Sequence, residues 1–450
     1  MKHVFTIVIV LFSLSVFSQE GTRSELAKYR RSSLHMVLIE SDNFPDKDVV
    51  VGAYNSMPFP DKYNDHSLNE KSFDPKKYNV TEDDRIAANG GKKPNAFGKA
   101  LGNAAASSVN GAMGNSAGPL IDTLERDYPI QIEKYINETG LAKKLVAKWF
   151  NRKPDGKFDM SLIQERGFYD ASQLDVQQAQ GTTRGSAALG DAGEQLIKNT
   201  FVIFSKLKFI DNEIWARIIR DAAVASAQAK ITDATMQKAA ITAAEKVYEK
   251  TKEGYTVITS AWLYQLNWND SIESIFYNDL YSSREAFDNS DLFSLSFVGK
   301  ETSSAFVGFS LKEKRTKQQI TKIATIRNFD NTLFKLQKSY EVFRPVVPVS
   351  SSNPITAAIG MKEGLKGGEK FDAMELTVNA KTGRSEYKKT GSVTVDKKKV
   401  WDNRYNLADA PPAAEEDSSV ASFEKVEITH FNGSKKVGPG MVLKQVKFSK

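Results

Sequence analysis

The chain has 450 residues, of which 40% are hydrophobic and 26% charged, with a formal net charge of +7 and no cysteine. That length accommodates two or three domains with filled cores, and the composition excludes global disorder. Without cysteine there are no disulfides and no lipidated N-terminal cysteine to expect, so stability has to come from packing.

Lys2 and His3 precede an apolar run, Val4–Phe17, and Val16-Phe17-Ser18 offers permissive residues before Gln19. This pattern predicts a secretory signal peptide over residues 1–18, cleaved after Ser18. The run is too short to span a bilayer comfortably, and no later stretch approaches the roughly 20 apolar residues of a membrane helix. The mature chain is therefore expected to be exported, in the periplasm or at the outer membrane, without a transmembrane helix. Loss of Lys2 leaves a charge of +6. That modest excess favours anionic surfaces such as lipid headgroups or polymers, and no nucleic-acid-binding motif is present.

In chain order, Ser33–Glu40 reads as a strand and Asp46–Tyr54 as a helix capped by Asp46. Met57–Leu68 holds Pro58 and Pro60 and reads as a shaped loop. His66 lies there among Asp61, Asn64 and Asp65; one histidine with flanking acids is a weak metal motif, and a solvated or turn-capping role is expected. Ala87–Gly118, rich in Gly, Ala, Ser and Asn, reads as a flexible insertion, with ordering on a partner or membrane as the alternative. Its Gly98 and Gly102 have small-xxx-small spacing, but outside an apolar 20-mer.

Tyr128–Phe150 reads as a helix whose Ile132, Ile136, Leu145, Val146 and Trp149 share a side around Gly140. Pro154-Asp155-Gly156 marks a turn. Phe158–Ile163 is expected as a short strand, followed by a helix ending near Ile197 and a central buried strand, TFVIFSKLKFI. Glu213–Lys250 is alanine-rich and helical, with an interruption at Thr232-Asp233 and an expected stripe of Ile214, Ile218, Ala222 and Ala225 continued by Ile241, Ala244, Val247 and Tyr248. A core helix or helical hairpin is the expected form.

Tyr255–Trp268 reads as a strand, Ser271–Leu280 as a helix capped by Asp270, and Leu292–Val298 as a strand. Ile320, Ile323, Ile326, Phe329, Leu333, Leu336, Tyr340 and Phe343 then recur at steps of three and four, predicting a long amphipathic helix laid on a sheet or a partner helix. Arg344–Pro354 reads as a linker. Beyond it, Ile355–Ile359, Lys370–Val378, Glu386–Val395, Phe423–Phe431 and Met441–Phe448 read as five strands of a small β-barrel, with turns at Asn379–Gly383 and Asn432-Gly433 and a mobile loop at Ala408–Ser419.

Chemistry has few footholds. His35, His66 and His430 show no zinc-ligand spacing, and there is no HExxH, GxSxG, GxxxxGK[ST] or strand-linked GxGxxG. Glu415-Glu416 falls in the expected loop, and Glu165 beside Arg166 reads as an ion pair rather than a general acid. No catalytic, cofactor or metal residue is assigned, although glycosidase carboxylates need no local signature.

From Ile132 to Asp211, FDMSLIQERGFYDAS, LGDAGEQLI and NTFVIFSKLKFID occur in an order that resembles the α/β envelope domain of curli-secretion-type and TolB amino-terminal-type proteins. GMKEGLKGGEKFDAMEL and GSVTVDKKKVWDNRY resemble the small β-barrel of flagellar T-ring-type periplasmic proteins. MPFPDKYNDH, LGDAGEQLIKNTFV, IGMKEGLKGGEKF, VDKKKVWDNRY and GMVLKQVK resemble an uncharacterised family of exported proteins of Bacteroidetes-type bacteria. The resemblances imply an α+β chain: an α/β envelope-type domain over residues 19–343, a linker over 344–354 and an SH3-like barrel over 355–450. The expected function is non-enzymatic, through contact with envelope proteins or anionic surface polymers, and compatible with a homo-oligomer. The alternatives are an exported enzyme acting on a cell-wall or glycan polymer, and a membrane-inserting assembly using Ala96–Gly118.

Overall fold

The computed structural model describes residues 30, 32–88, 90, 126–170, 196–308, 316–378, 385–403 and 428–448. The expected signal peptide, nearly all of Ala87–Gly118, the Gly181–Gly190 region, the Asn379–Gly383 turn and Ala408–Ser419 with Glu415-Glu416 lie outside the described residues. Of the helix expected to end near Ile197, only its last residues are described.

The N-terminal unit is a mixed sheet in the order β2-β1-β4-β5-β6, with β3 also on β1. Strand β1 (Ser33–Ile39) is buried along its whole length. It is followed by helix α1 (Lys47–Ser56), whose cap is Asp46, its carboxylate accepting from the Val49 N–H at 3.1 Å. The short strands β2 (Asn64–Asp65) and β3 (Ser72–Phe73) run parallel to β1. Helices α2 (Tyr128–Thr139) and α3 (Leu141–Trp149) replace the single helix expected there. Gly140 between them adopts φ +61°, a left-handed conformation that glycine takes without penalty and that ends α2. The turn at Pro154-Asp155-Gly156 is present.

Phe158–Ile163 is not a strand. Helix α4 (Ser161–Asp170) begins within it, and the Asp159 carboxylate accepts from the Ser161 N–H at 3.1 Å. A side chain satisfying a first-turn N–H stabilises a helix start over an extended segment. Strand β4 (Thr200–Asp211) is central as expected, parallel to β1 and antiparallel to β5. Helices α5 (Asn212–Lys230) and α6 (Ala234–Thr251) then form a hairpin, with Asp233 capping α6, before β5 (Gly254–Leu266) returns alongside β4. The next helix, Asp270–Ile275, is capped by Asn269, not Asp270: the Asn269 side-chain oxygen accepts from the Ser271 and Ile272 N–H groups, both at 3.0 Å. Strand β6 (Leu295–Gly308) starts three residues later than expected and runs much further.

Alternation along β1 and β4 sends side chains to two covered faces. Leu34, Met36, Leu38, Phe201 and Ile203 pack under α1 and the long helix α7 (Lys317–Ser339). Val37, Ile39, Val202 and Phe204 pack under α2 and α3 with Ile132, Tyr135 and Leu145. A strand covered on both faces reads as an unbroken apolar run, which is why TFVIF has no polar alternation.

Helix α7 lays Ile320, Ile323, Ile326, Phe329, Leu333 and Leu336 on the sheet, as its periodicity predicts. Its buried face also carries Asn328, which donates to the Val257 carbonyl at 2.8 Å and to Thr259 Oγ1 at 2.6 Å while accepting from Ser303 Oγ at 3.0 Å. Asn328 thus stitches α7 to β5 and β6. Asn328→Ala is expected to cost about 2–4 kcal/mol, since it strands several buried polar groups and leaves a void. Denaturant unfolding monitored by circular dichroism measures it.

Arg344–Pro354 is not a linker: it supplies β7 (Val346–Pro348) and β8 (Ser351–Ser352). These join β9 (Ile355–Ala357), β10 (Lys370–Val378), β11 (Ser385–Val395), β12 (Thr429–Gly433) and β13 (Met441–Lys447) in an antiparallel sheet of order β7-β13-β10-β11-β12-β9-β8. Asn432-Gly433, expected as a turn, is the end of β12. The first and last strands of this order are consecutive pieces of one segment. Val349 N–H reaches Met441 O at 2.9 Å and Ser350 N–H reaches Thr356 O at 2.8 Å, so the bend between β7 and β8 turns the chain from one edge of the curled sheet to the other. Its core is Val347, Val349, Ile355, Phe371, Val393, Phe431 and Leu443. The chain is α+β.

Candidate functional site

Two polar clusters meet at the Met57–His66 loop. The first is inside the N-terminal unit. His66 is fully buried, stacked on Trp149 with ring centroids 4.8 Å apart. The expectation of a solvated or turn-capping His66 is therefore corrected: Pro58 and Pro60 shape a loop that runs into β2, and β2 carries the histidine into the interior. Its Nε2 lies 3.0 Å from Leu145 O and its Nδ1 2.9 Å from the Arg166 guanidinium. A guanidinium only donates, so Nδ1 accepts and the proton sits on Nε2. Burial, reinforced by Arg166, holds the imidazole well below its ordinary pKa, in the neutral form.

Arg166 also donates to Ser33 Oγ at 3.2 Å and to the Asp65 carbonyl at 2.8 Å, and lies over the Trp149 ring at 4.6 Å. Trp149 Nε1 donates to Thr200 Oγ1 at 2.8 Å. His35, next in line on β1, is also fully buried; burial and the nearby Lys148 and Lys71 depress its pKa to about 3. The structure thus brings together His35 and His66, which no spacing in the sequence pairs, but as neutral core groups. His430 is half-buried in the curled C-terminal sheet, away from both. Glu165 is exposed on α4 while Arg166 points inward.

Arg166→Met is expected to destabilise the chain by about 2–4 kcal/mol by leaving His66, Ser33 and the Asp65 carbonyl short of a buried donor, whereas Glu165→Gln stays within about 0.5 kcal/mol. Parallel urea titrations of the two variants give the comparison.

The second cluster lies where the N-terminal unit meets the curled C-terminal sheet. Lys62, almost fully buried, bonds Asp61 at 3.0 Å. Burial works against the Asp61 carboxylate, but Lys62 and Lys362 hold it below its usual range. Across the joint, Glu363 is 3% exposed and accepts from the Gly360 N–H at 2.8 Å and the Asn403 amide at 2.9 Å. The Asn403 oxygen accepts from the Lys362 N–H at 2.7 Å. Lys362 Nζ lies 3.7 Å from Asp330 of α7. Gly364, at φ +78°, lets the turn pass so close to Phe334 of α7 that a Cβ there would sit 1.9 Å from its ring. Burial lifts Glu363 above the ordinary carboxylate range and pushes Asp330 up to about 6; Lys362 opposes the shift at Asp330, while Glu363 and Asp61 reinforce it.

Sequence reasoning singled out Asp61 alone of these groups. Lys62, Asp330, Lys362 and Glu363 were missed, since they come from three distant segments and the only local signal was the glycine-framed GMKEG. Yet three of the segments that carried the resemblances, MPFPDKYNDH, IGMKEGLKGGEKF and the described part of VDKKKVWDNRY, converge here.

Among the described residues no group of three or more His, Cys, Asp or Glu side chains is placed to hold a metal ion, and no helix is long and apolar enough to cross a membrane. No family model, curated protein or solved structure matches the chain.

What the joint does chemically is titrate. Asp330 holds its proton more tightly folded than unfolded, so its contribution to stability is full below about pH 4 and is lost as pH rises through about 6. The Asp330→Asn variant escapes that loss. Its stability relative to wild type should rise by about 2–3 kcal/mol between pH 4 and 7.5. Thermal unfolding of both proteins across that range is the measurement, and a pH-independent difference would remove the assignment.

Proposed function

We propose that the protein is a non-enzymatic, exported envelope protein that acts through protein–protein contact or assembly, with the α5–α6 hairpin as its contact surface. The reading joins the basic-apolar N-terminal segment, which predicts export to the periplasm or outer membrane, to an α/β envelope-type unit and an SH3-like barrel, two architectures that recur as recognition platforms. The observation that carries it is the hairpin itself. Its helices pack chiefly on each other and, at the root, on β4 and β5. Asn212 fixes the root, donating to Glu253 O at 3.2 Å and accepting from Thr256 Oγ1 at 2.9 Å. Outward from there, Ile219, Met236 and Val247 are 59%, 67% and 50% exposed. An arm standing off a fold with uncovered aliphatic side chains is a surface kept for another macromolecule.

The test is capture from crosslinked cell envelopes with the full chain and with a chain whose residues 213–252 are replaced by a short Gly-Ser turn. Loss of specific crosslinked species with the shortened arm is expected. An identical set of species from both chains would overturn the reading, and cell fractionation tests the expected location.

A further inference from the structure

Two turns meet at one end of the curled C-terminal sheet: Leu365–Glu369, which leads into β10, and Asp396–Val400, which follows β11. The Gly368 N–H donates to Val395 O at 3.0 Å, and the Val395 N–H donates to Glu369 O at 2.9 Å. A Cβ on Gly367 would sit 2.5 Å from Lys397 Cα, so a residue without a side chain is what lets the turns lie this close. The contact gathers Lys366, Lys370, Lys397, Lys398 and Lys399 at that end, all exposed.

The acids nearby are engaged elsewhere. Glu369 is fully buried, and its carboxylate accepts from the Lys366 N–H at 3.0 Å and the Gly367 N–H at 2.9 Å. Asp396 is half-buried and accepts from the Lys398 N–H at 2.9 Å. Asp372, on the same face of β10 as Lys370, pairs with Lys389 at 2.6 Å. Asp402 is exposed, between Trp401 and Asn403, whose oxygens accept from the Met361 and Lys362 N–H groups at the joint. Among the described residues none of the five lysines is held in an ion pair. His430 feels the resulting field: its backbone N–H donates to Lys399 O at 3.0 Å, and burial together with Lys399 lowers its pKa against the opposing pull of Asp396.

We propose that this lysine end binds a linear polymer carrying repeated phosphate groups. The surface lies on the C-terminal unit, apart from the α5–α6 hairpin, and goes beyond the contact reading. The arrangement of the charges selects the partner. Lys366 and Lys370 lie at the start of β10, while Lys397, Lys398 and Lys399 run from the end of β11 toward β12. These three strands are neighbours in the sheet, so the row crosses two strand spacings, about 10 Å. A row of that length meets successive charges along a chain. All five residues are lysines, point charges that meet phosphate oxygens without the rigid fork of arginine, so the row is not built to grip one compact anion. Neither turn contains an aromatic residue on which a nucleobase could stack, and neither exposes a large apolar side chain to enter a bilayer. What remains is a repeated phosphate backbone, bound through counter-ion release and therefore weakened by salt.

The probe is long-chain inorganic polyphosphate, titrated calorimetrically into the full chain over a series of salt concentrations. The combined variant Lys397→Gln, Lys398→Gln, Lys399→Gln is expected to bind about tenfold more weakly and to flatten the slope of log K against log salt by about two to three. A matched control carries Lys388→Gln, Lys435→Gln and Lys436→Gln. Those exposed lysines lie further along β11, Lys388 opposite Glu375 and the other two beside Val437, which packs near Gly391, and their loss removes the same charge. The control is expected to stay within about threefold of the unaltered chain, since screened charges at a distance contribute little. Thermal melts check that both variants fold, and Lys366→Gln with Lys370→Gln repeats the loss from the other turn. No binding by the full chain, equal weakening in variant and control, tripolyphosphate binding as tightly as the polymer, or a preference for single-stranded DNA overturns the proposal. So does binding to vesicles of equal parts phosphatidylglycerol and phosphatidylcholine that polyphosphate does not displace. Binding seen only after deletion of residues 408–419 assigns the lysines to the chain's own Glu415-Glu416-Asp417 stretch and overturns it as well. Replacing residues 213–252 by the Gly-Ser turn is expected to leave polyphosphate binding unchanged, so the two surfaces fail independently.

Discussion

Tyr63 is fully buried, stacks on Phe343 at 4.8 Å and donates its hydroxyl to the Phe343 carbonyl at 2.6 Å, while Gln337 donates to the same hydroxyl at 3.1 Å. That one side chain fixes the end of the long helix α7 against the Met57–His66 loop. Its neighbours extend the constraint in both directions: Lys62 and Asp61 face the C-terminal sheet, while Asn64, Asp65 and His66 enter the edge of the N-terminal sheet and α3. A loop threaded between packed units must satisfy its polar groups inside the protein, because water is not there to do so. The order of the joint therefore depends on the order of each unit it touches, and the units meet through paired charges, Lys362 with Asp330 at 3.7 Å and Lys444 with Glu341 at 2.7 Å, and through Phe334 against Gly364 and Phe448.

Burying Lys62, Glu363 and much of Asp330 is an expensive way to join two units, since apolar side chains of similar size would hold as well or better. What ionic groups add is selectivity of fit: each charge tolerates only the arrangement that pairs it. The same logic separates the two clusters. His35 and His66 have been driven neutral and behave as shaped core residues, whereas Asp330 keeps a proton equilibrium near neutrality. The first cluster is fixed over the ordinary pH range and the second is not.

Much of this architecture could be read from residue pattern. The α7 stripe, β1, β4, β5 and the strands at Lys370–Val378 and Met441–Phe448 have periodicities that packing enforces, and those elements formed where the pattern placed them. The failures share a cause. Phe158–Ile163 has strand-like composition, but a local carboxylate at Asp159 caps a helix there. Ile214, Ile218, Ala222 and Ala225 make a sensible stripe, but Arg220 faces α6 at 4.6 Å from the Tyr248 ring, Ala216 and Ala227 are buried, and Ala222 and Ala225 are exposed. Arg344–Pro354 looks like a linker because prolines tolerate edge strands as readily as they tolerate loops. In the first two cases a side-chain interaction outweighed the average preference of the segment, and in the third it was backbone pairing at a sheet edge. The joint was the least legible feature, because its groups are separated by up to about 300 residues and no segment carries more than one or two of them.

The bend between β7 and β8 has one more implication. The curled C-terminal sheet begins only a few residues after α7 ends, so the segment that turns between its two edges is also the segment tethered to the spine of the N-terminal unit. Only three residue pairs join β7 to β13, and two join β8 to β9. Tension along α7 therefore reaches β7, an edge strand on a short pairing, before any other strand of that sheet. The strand that takes the load of the spine is thus also the edge of its sheet, close in sequence to the Lys362 and Glu363 turn.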